Sequence, residues 1–513
     1  MADGYRVPIR RHGVILRGST MAKSRPWASL PAEIRLKILE EIAQQKHAGW
    51  ASLASVCKEW QFVIAKENFR QLKLRPSCLD DFERLIVRQR HLIRHIQLEI
   101  ELPRYSCQHC KRHASMRSID QENLFISRGI WKLFQILGTW ESARHRHTAH
   151  NGLTNGLTLE LNAYSPSDTE HWFKNYHFTS DADGNNDDNR KSDDPVHGWI
   201  NGQQVVTPPA TAIPRLFSMI NLPFGKEVPQ IGSITRLIIR RQLRRSFHPI
   251  SLFCILRKLD ALEHLVYEPW RQWENGLREM QDRCFLRFVE YLPKTLKKLS
   301  VFEDFSDSIA AVLVEDQNKS QNFRSMQMQV EAVRVVDPRI GAAFASRSLD
   351  LEQLSVSYMV NAEDFLGACL QSWTWPRLES LALTSRLLHD DWECREDVDT
   401  LLYGAGMAAL RMPKLRTLAI WNGRAGNACA FIYHTDGNYA YVTWRGTWEM
   451  DLSPRVVEVW ERVALESRSC PLRVTKQQVQ GVIGSHGDAI HRLALPCPVV
   501  APESLWQIRR EGR

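Results

Sequence analysis

Long apolar runs are missing from this sequence. The longest span only a few of its 513 residues, as in Gly13-Val14-Ile15-Leu16, far short of the ~18 needed to cross a bilayer, so a membrane bundle is excluded. Between the N-terminal arginines there is no apolar stretch and no small-residue cleavage site. No secretory signal is expected, and the chain should be intracellular, in the cytoplasm, the nucleus or both. The eleven cysteines are scattered and odd in number. That excludes a disulfide framework and points to reduced thiols. Neither a Gly-x-x-x-x-Gly-Lys phosphate loop nor a Gly-x-Ser-x-Gly elbow is present. Gly404-Ala405-Gly406-Met407-Ala408-Ala409 follows the helical pattern Val398, Leu401, Leu402, whereas a dinucleotide site needs a strand there. Gly484-Ser485-His486-Gly487 sets a hydroxyl beside an imidazole but reads as a glycine-permitted turn. A non-catalytic protein without a cofactor is expected.

What is present is an ordinary globular composition, 43% hydrophobic, 24% charged and 9% aromatic, which excludes wholesale disorder and collagen. At about 150 residues per domain, the length suggests about three domains or one long repetitive one. The net charge is +9, and residues 1–25 carry Arg6, Arg10, Arg11, Arg17, Lys23 and Arg25 against Asp3. Such a leader suits a solvated tail or an import signal. It lacks the interleaved aromatics that stack bases, which makes nucleic acid an unlikely partner.

Trp27 to Leu74 reads as a helical module. Pro31 suits a first helical turn and Glu33 the positive end of the helix dipole. Ile34, Ile38 and Ile42, with Leu39 beside them, form an apolar stripe. After His47-Ala48-Gly49, a second helix is predicted from Leu53, Val56, Cys57 and Trp60 through Val63 and Ile64. So short a segment cannot bury a large core alone and wants a partner surface.

The strings Leu30-Pro31-Ala32-Glu33-Ile34-Arg35-Leu36-Lys37-Ile38-Leu39 and Leu53-Ala54-Ser55-Val56-Cys57-Lys58-Glu59-Trp60 closely resemble the two halves of the F-box. The resemblance covers about 45 residues of the chain. It implies docking on the Skp1 subunit of a cullin-RING ubiquitin ligase, with Leu30, Pro31, Ile34, Ile38, Leu39, Val56, Cys57 and Trp60 on the docking face. The rest of the chain would then hold a protein substrate.

Beyond Leu74 the motif aliphatic-x-x-aliphatic-x-aliphatic recurs. Its occurrences begin at Ile93, Ile234, Leu262, Leu296, Val330, Leu351, Leu378 and Leu415. From Leu237 onward the second aliphatics are spaced by 28, 34, 34, 21, 27 and 37 residues. Strand and helix alternating at such spacing point to an α/β solenoid. Helix faces are predicted at Trp273, Leu277, Met280, Cys284 and Phe288, and at Phe365, Leu366, Cys369 and Trp373. The repeats resemble degenerate leucine-rich repeats, and the whole resembles F-box proteins of the filamentous-fungal type. The expected organisation is a leader (1–25), the F-box (26–75), the irregular repeat body (76–420) and an aromatic-rich C-terminal cap (421–513). The cap carries Trp421, Tyr433, Tyr439, Tyr441, Trp444, Trp448 and Trp460 and ends in a helix from Pro502.

Three features interrupt the body. Ser180 to Asp194 holds six aspartates and reads, with Gly202 to Pro209, as a loop or disordered acidic insert. Arg236, Arg240, Arg241, Arg244 and Arg245 fall within ten residues. They are expected on an exposed edge, as charge against aggregation. Cys107-Gln108-His109-Cys110-Lys111-Arg112-His113 offers three soft ligands, Cys107, Cys110 and His113, on a tight loop. A closed zinc site needs a fourth, and His91, His95 or the group His145, His147, His150 are the candidates; the favoured expectation is a reduced, metal-free loop. The combined expectation is a substrate-recognition adaptor of a Skp1-cullin ligase. The alternatives are an interaction scaffold without a degradation role and a basic nucleic-acid-associated factor.

Overall fold

The computed structural model describes residues 27–45, 49–140, 156–176, 193–225, 227–319 and 336–511. The basic leader, most of the acidic insert, the His145 group and the repeat at Val330 lie outside these. The chain divides into two compact units, with the boundary between Arg70 and Gln71.

In the first unit, helices α1 (Ala32–Gln45) and α2 (Lys58–Arg70) flank a 3-10 turn at Trp50–Ser55. The expected continuous helix from Leu53 to Ile64 is therefore broken at Val56-Cys57. Leu39, Ala43, Val63 and Ile64 form a small buried core, with Trp27, Trp50, Leu53, Ala54 and Trp60 against it. An expected F-box end at residue 75 is not where the chain divides. Gln71–Leu74 is a strand of the second unit.

The second unit is mixed α/β, built on one twelve-stranded, mostly parallel sheet. Its strands are β1 (Gln71–Leu74), β2 (His95–Glu101), β3 (Leu157–Tyr164), β4 (Ile234–Ile239), β5 (His264–Tyr267), β6 (Lys298–Phe302), β7 (Gln353–Asn361), β8 (Ser380–Thr384), β9 (Thr417–Arg424), β10 (Asn427–Thr435), β11 (Ala440–Gly446) and β12 (Leu472–Gln478). They lie in the sheet in chain order. Pairing is parallel from β1 to β9, antiparallel from β9 through β11, and parallel again to β12. Seven occurrences of the aliphatic motif reach into these strands. Their second aliphatics Ile96, Leu237, Leu265, Leu299, Leu354, Leu381 and Leu418 are in register and, with Leu159 of β3, form one buried row across eight strands. Because strand side chains alternate, the third aliphatics share that face. Helices cover it: Phe285 and Phe288 of Asn275–Glu290 meet Tyr267, and Trp460 of Pro454–Arg468 meets Phe431 and Tyr433.

The helix Asn275–Glu290 buries Arg278, Asp282, Phe285, Phe288 and Val289. Of the face predicted for it, Leu277 is exposed and Trp273 precedes the helix. The C-terminal region is no separate cap. β9 runs across the expected boundary at residue 421, and Trp421, Tyr433, Trp444 and Trp460 are core residues of the continuous sheet unit. Helices His486–Leu493 and Pro502–Glu511 pack on the opposite face, through Ala489, Ile490, Leu493 and Ile508 against Ala382, Ala419 and Ala430. The helix from Pro502 is where the sequence places it. No helix among the described residues is long and apolar enough to cross a membrane.

Candidate functional site

The α1–α2 unit gathers the residues predicted to dock. Ile34 and Ile38 sit one helical turn apart on α1, at 43% and 37% exposure, and Val56 and Phe62 are more open, at 60% and 62%. Pro31 and Cys57 are exposed, while Leu30 and Trp60 are half-buried. Leu39 is fully buried and belongs to the core of the unit instead of its surface. Polar contacts fix the geometry beneath. The Glu59 carboxylate accepts from Arg35 Nε at 3.0 Å and from Trp27 Nε1 at 3.3 Å, and Arg35 Nη1 donates to the Leu30 carbonyl at 2.8 Å. The Arg35 hydrogen bond, more than any other contact, holds the Glu59 carboxyl below its ordinary value. Leu30 and Pro31 are thereby tied to the start of α2. Phe62 was not singled out in the sequence, although its exposure on α2 continues the same apolar character.

On the sheet unit, the face away from the aliphatic row opens a cavity of about 470 Å³, lined by His95, Arg236, His264, Lys298, Ser300, Gln353 and the C-terminal segment around Cys497 to Glu503. Arg236 is exposed there, and Arg240 pairs with Glu160 at 3.3 Å and Glu503 at 2.9 Å. Burial, reinforced by Arg236 and Lys298, lowers His264 to about 4, so its imidazole is neutral at pH 7.

The other arginines of that run overturn the expectation of an exposed edge. Arg241, Arg244 and Arg245 are buried and ion-paired. Arg241 reaches Asp304 and, at 2.7 Å, Glu511; Arg244 also meets Glu511; Arg245 meets Glu122 at 3.2 Å and Asp168 at 3.1 Å. Trp270 lies 4.9 Å from the Arg241 guanidinium and 4.3 Å from that of Arg244. His486 Nε2 sits 2.8 Å from Asp304, and Ser485 caps the helix that follows by accepting from the Asp488 N–H. The hydroxyl–imidazole pair noted in the sequence is thus divided between a helix cap and a buried ion network. Likewise Gly404 and Gly406 lie inside the helix Arg395–Ala409, which is no phosphate-binding turn.

Of the three metal-ligand candidates, Cys107 and Cys110 come together with His171 and His197. His113 is not in that group; its carbonyl accepts from Arg215. The partners were missed because they lie far along the chain, His197 being 87 residues beyond Cys110. Burial, then the neighbouring Cys107, pushes the Cys110 thiol up, and burial pushes the His171 imidazole down. A second grouping, His389, Asp391 and Cys394, occupies one partly exposed loop and makes local turn contacts.

The large unit therefore defines a mixed α/β protein with a long, mostly parallel sheet. Residues 291–501 match the model of a family of unknown function, DUF6546. The match begins just before β6 and includes β7 to β12 and the helix His486–Leu493, but neither the α1–α2 unit nor the Cys107 loop. No curated protein matches the chain.

Proposed function

We propose that the chain is a substrate-recognition adaptor of a Skp1-cullin ubiquitin ligase, docking through the α1–α2 unit and holding a protein target on the sheet unit. The observation that carries this reading is the coincidence of an F-box-like sequence with an independent helical unit whose matching side chains Pro31, Ile34, Ile38, Val56 and Cys57 are exposed. Ile34, Ile38 and Val56 are each about half exposed, so burying what remains contributes about 1 kcal/mol each, and a cluster of such contacts can dominate an interface. In this account the regular parallel strands are degenerate leucine-rich-repeat-like units, and the cavity bearing Arg236 and Lys298 receives an acidic target segment. The chain carries out no chemistry itself. It raises the target's local concentration beside the ubiquitin-charged enzyme.

Affinity purification of the intact chain beside a Leu30→Ala/Pro31→Ala variant tests the docking. Skp1 and a cullin should accompany the first and be lost from the second; equal recovery from both refutes the assignment. Deleting residues 27–70 should lengthen the lifetime of co-purified targets. Unchanged lifetimes would leave a scaffold with no role in degradation.

A further inference from the structure

We infer that Cys107, Cys110, His171 and His197 form a structural zinc site that pins the loops at one end of the sheet. Its ligands come from three separate segments. Cys107 and Cys110 lie on the turn that follows β2, closed by Cys110 N–H to the Cys107 carbonyl and His109 N–H to the Ser106 carbonyl. His171 follows β3 directly after the short helix Ser167–Glu170, and His197 ends the 3-10 turn Pro195–His197. One ligand atom from each residue falls within a single cluster, all within 4.8 Å of one another.

The distances fit a tetrahedral ion. Zinc bonds of about 2.3 Å to sulfur and about 2.0–2.1 Å to nitrogen make the S···N edges of a tetrahedron roughly 3.5–3.6 Å. His197 Nε2 lies 3.3 Å from Cys107 Sγ and 3.5 Å from Cys110 Sγ. The other nitrogen of His197, Nδ1, is 2.7 Å from Asp194, which is itself held by Lys174 at 2.8 Å. That carboxylate–imidazole arrangement orients a metal-binding histidine. His171 gives an independent indication. Its Nε2 faces the Tyr105 carbonyl at 3.5 Å, and its Nδ1 is buried without a hydrogen bond. A buried imidazole nitrogen left idle keeps its full desolvation penalty; a metal at this position would use it.

Two thiolates and two neutral imidazoles select a borderline-soft ion such as zinc over magnesium or calcium. Binding converts two thiols to thiolates, releases two protons to solvent and leaves a neutral centre. With four protein ligands the site has no open position, so it holds structure and does not activate water. Cys110 also joins an apolar cluster with Trp172, Phe173, Ile213 and Phe217, so the ion would fasten segments 102–113, 167–176 and 193–217 together.

The full-length chain, purified without chelator, should contain about one zinc per chain by elemental analysis. Cobalt(II) exchanged into it should give tetrahedral ligand-field bands and thiolate charge-transfer absorption. Cys110→Ser and His197→Ala should each lose the bound zinc, whereas His113→Ala should keep it. Should a ligand variant fail to fold, thiol titration of the wild-type chain remains decisive. Blocking Cys107 and Cys110 with a mercurial must release zinc in step. Folded wild-type protein that takes up neither zinc nor cobalt, or zinc retained by both ligand variants, overturns the assignment.

Discussion

Replacing Asp304 with asparagine probes the buried ion network directly. Both carboxylate oxygens accept hydrogen bonds, Oδ2 from Arg241 Nε, and Oδ1 from His486 Nε2 at 2.8 Å and the Phe305 N–H at 2.9 Å. An amide of the same shape can satisfy one side only. Its NH₂ must face either the Arg241 guanidinium or the Phe305 N–H, donor against donor, while Arg241 stays buried and loses one of its two anionic partners. Breaking a buried ion pair in this way costs about 3–5 kcal/mol. An exposed pair, Arg462–Glu466 within the helix Pro454–Arg468, supplies the control: Glu466→Gln should cost about 0.3–0.5 kcal/mol. Urea unfolding followed by circular dichroism compares the two. The pH dependence gives a second reading. Burial alone would raise the Asp304 carboxyl, but the Arg241 charge and the His486 hydrogen bond outweigh it and hold it well below the usual carboxylate range. Its contribution is therefore complete above the unfolded value of about 3.9 and is lost as pH falls through the lowered folded value. Asp304→Asn should flatten that acid limb. A variant within about 0.5 kcal/mol of the control, or an unchanged acid limb, would refute the reasoning.

The two glycines of the Gly-x-Gly helix should respond with opposite signs. Gly404→Ala has open space around it and should stabilise by about 0.5–1 kcal/mol through helix propensity. A Cβ on Gly406 would lie 2.5 Å from Val459, so Gly406→Ala should destabilise by about 1–3 kcal/mol; both are read as shifts in the urea midpoint. In the middle of the aliphatic row, Leu299→Ala should cost about 2–5 kcal/mol by the same measurement. Phe62→Ser, on the open face of α2, should change stability by no more than about 0.5 kcal/mol while weakening Skp1 capture.

The sheet was largely legible because its signal is local. Six residues such as Leu262 to Tyr267 or Leu378 to Leu383 carry the alternation that buries one face, and each occurrence within the described residues contributes to a parallel strand. Leu157-Thr158-Leu159-Glu160-Leu161 alternates just as strictly and forms β3, yet it lacks the aliphatic three residues ahead by which the others were found. The 23-residue helix Met116–Gly138 lies outside the motif as well, although Ile126, Ile130, Leu133, Phe134 and Leu137 hold one face of it. The fate of the arginine run was not readable. Whether Arg241, Arg244 and Arg245 face water or acids depends on Glu122, Asp168, Asp304 and Glu511, which stand 63 to 270 residues away. The same separation hid His171 and His197 from Cys107-x-x-Cys110. A ligand set completed by tertiary folding has no spacing to recognise.

The most direct test of the adaptor account is a binding titration of the purified full-length chain against purified Skp1. The account predicts saturable association that an Ile34→Glu/Val56→Glu double variant loses while its circular dichroism stays that of the wild type. A folded wild-type chain that does not bind, or a double variant that binds equally well, would contradict it.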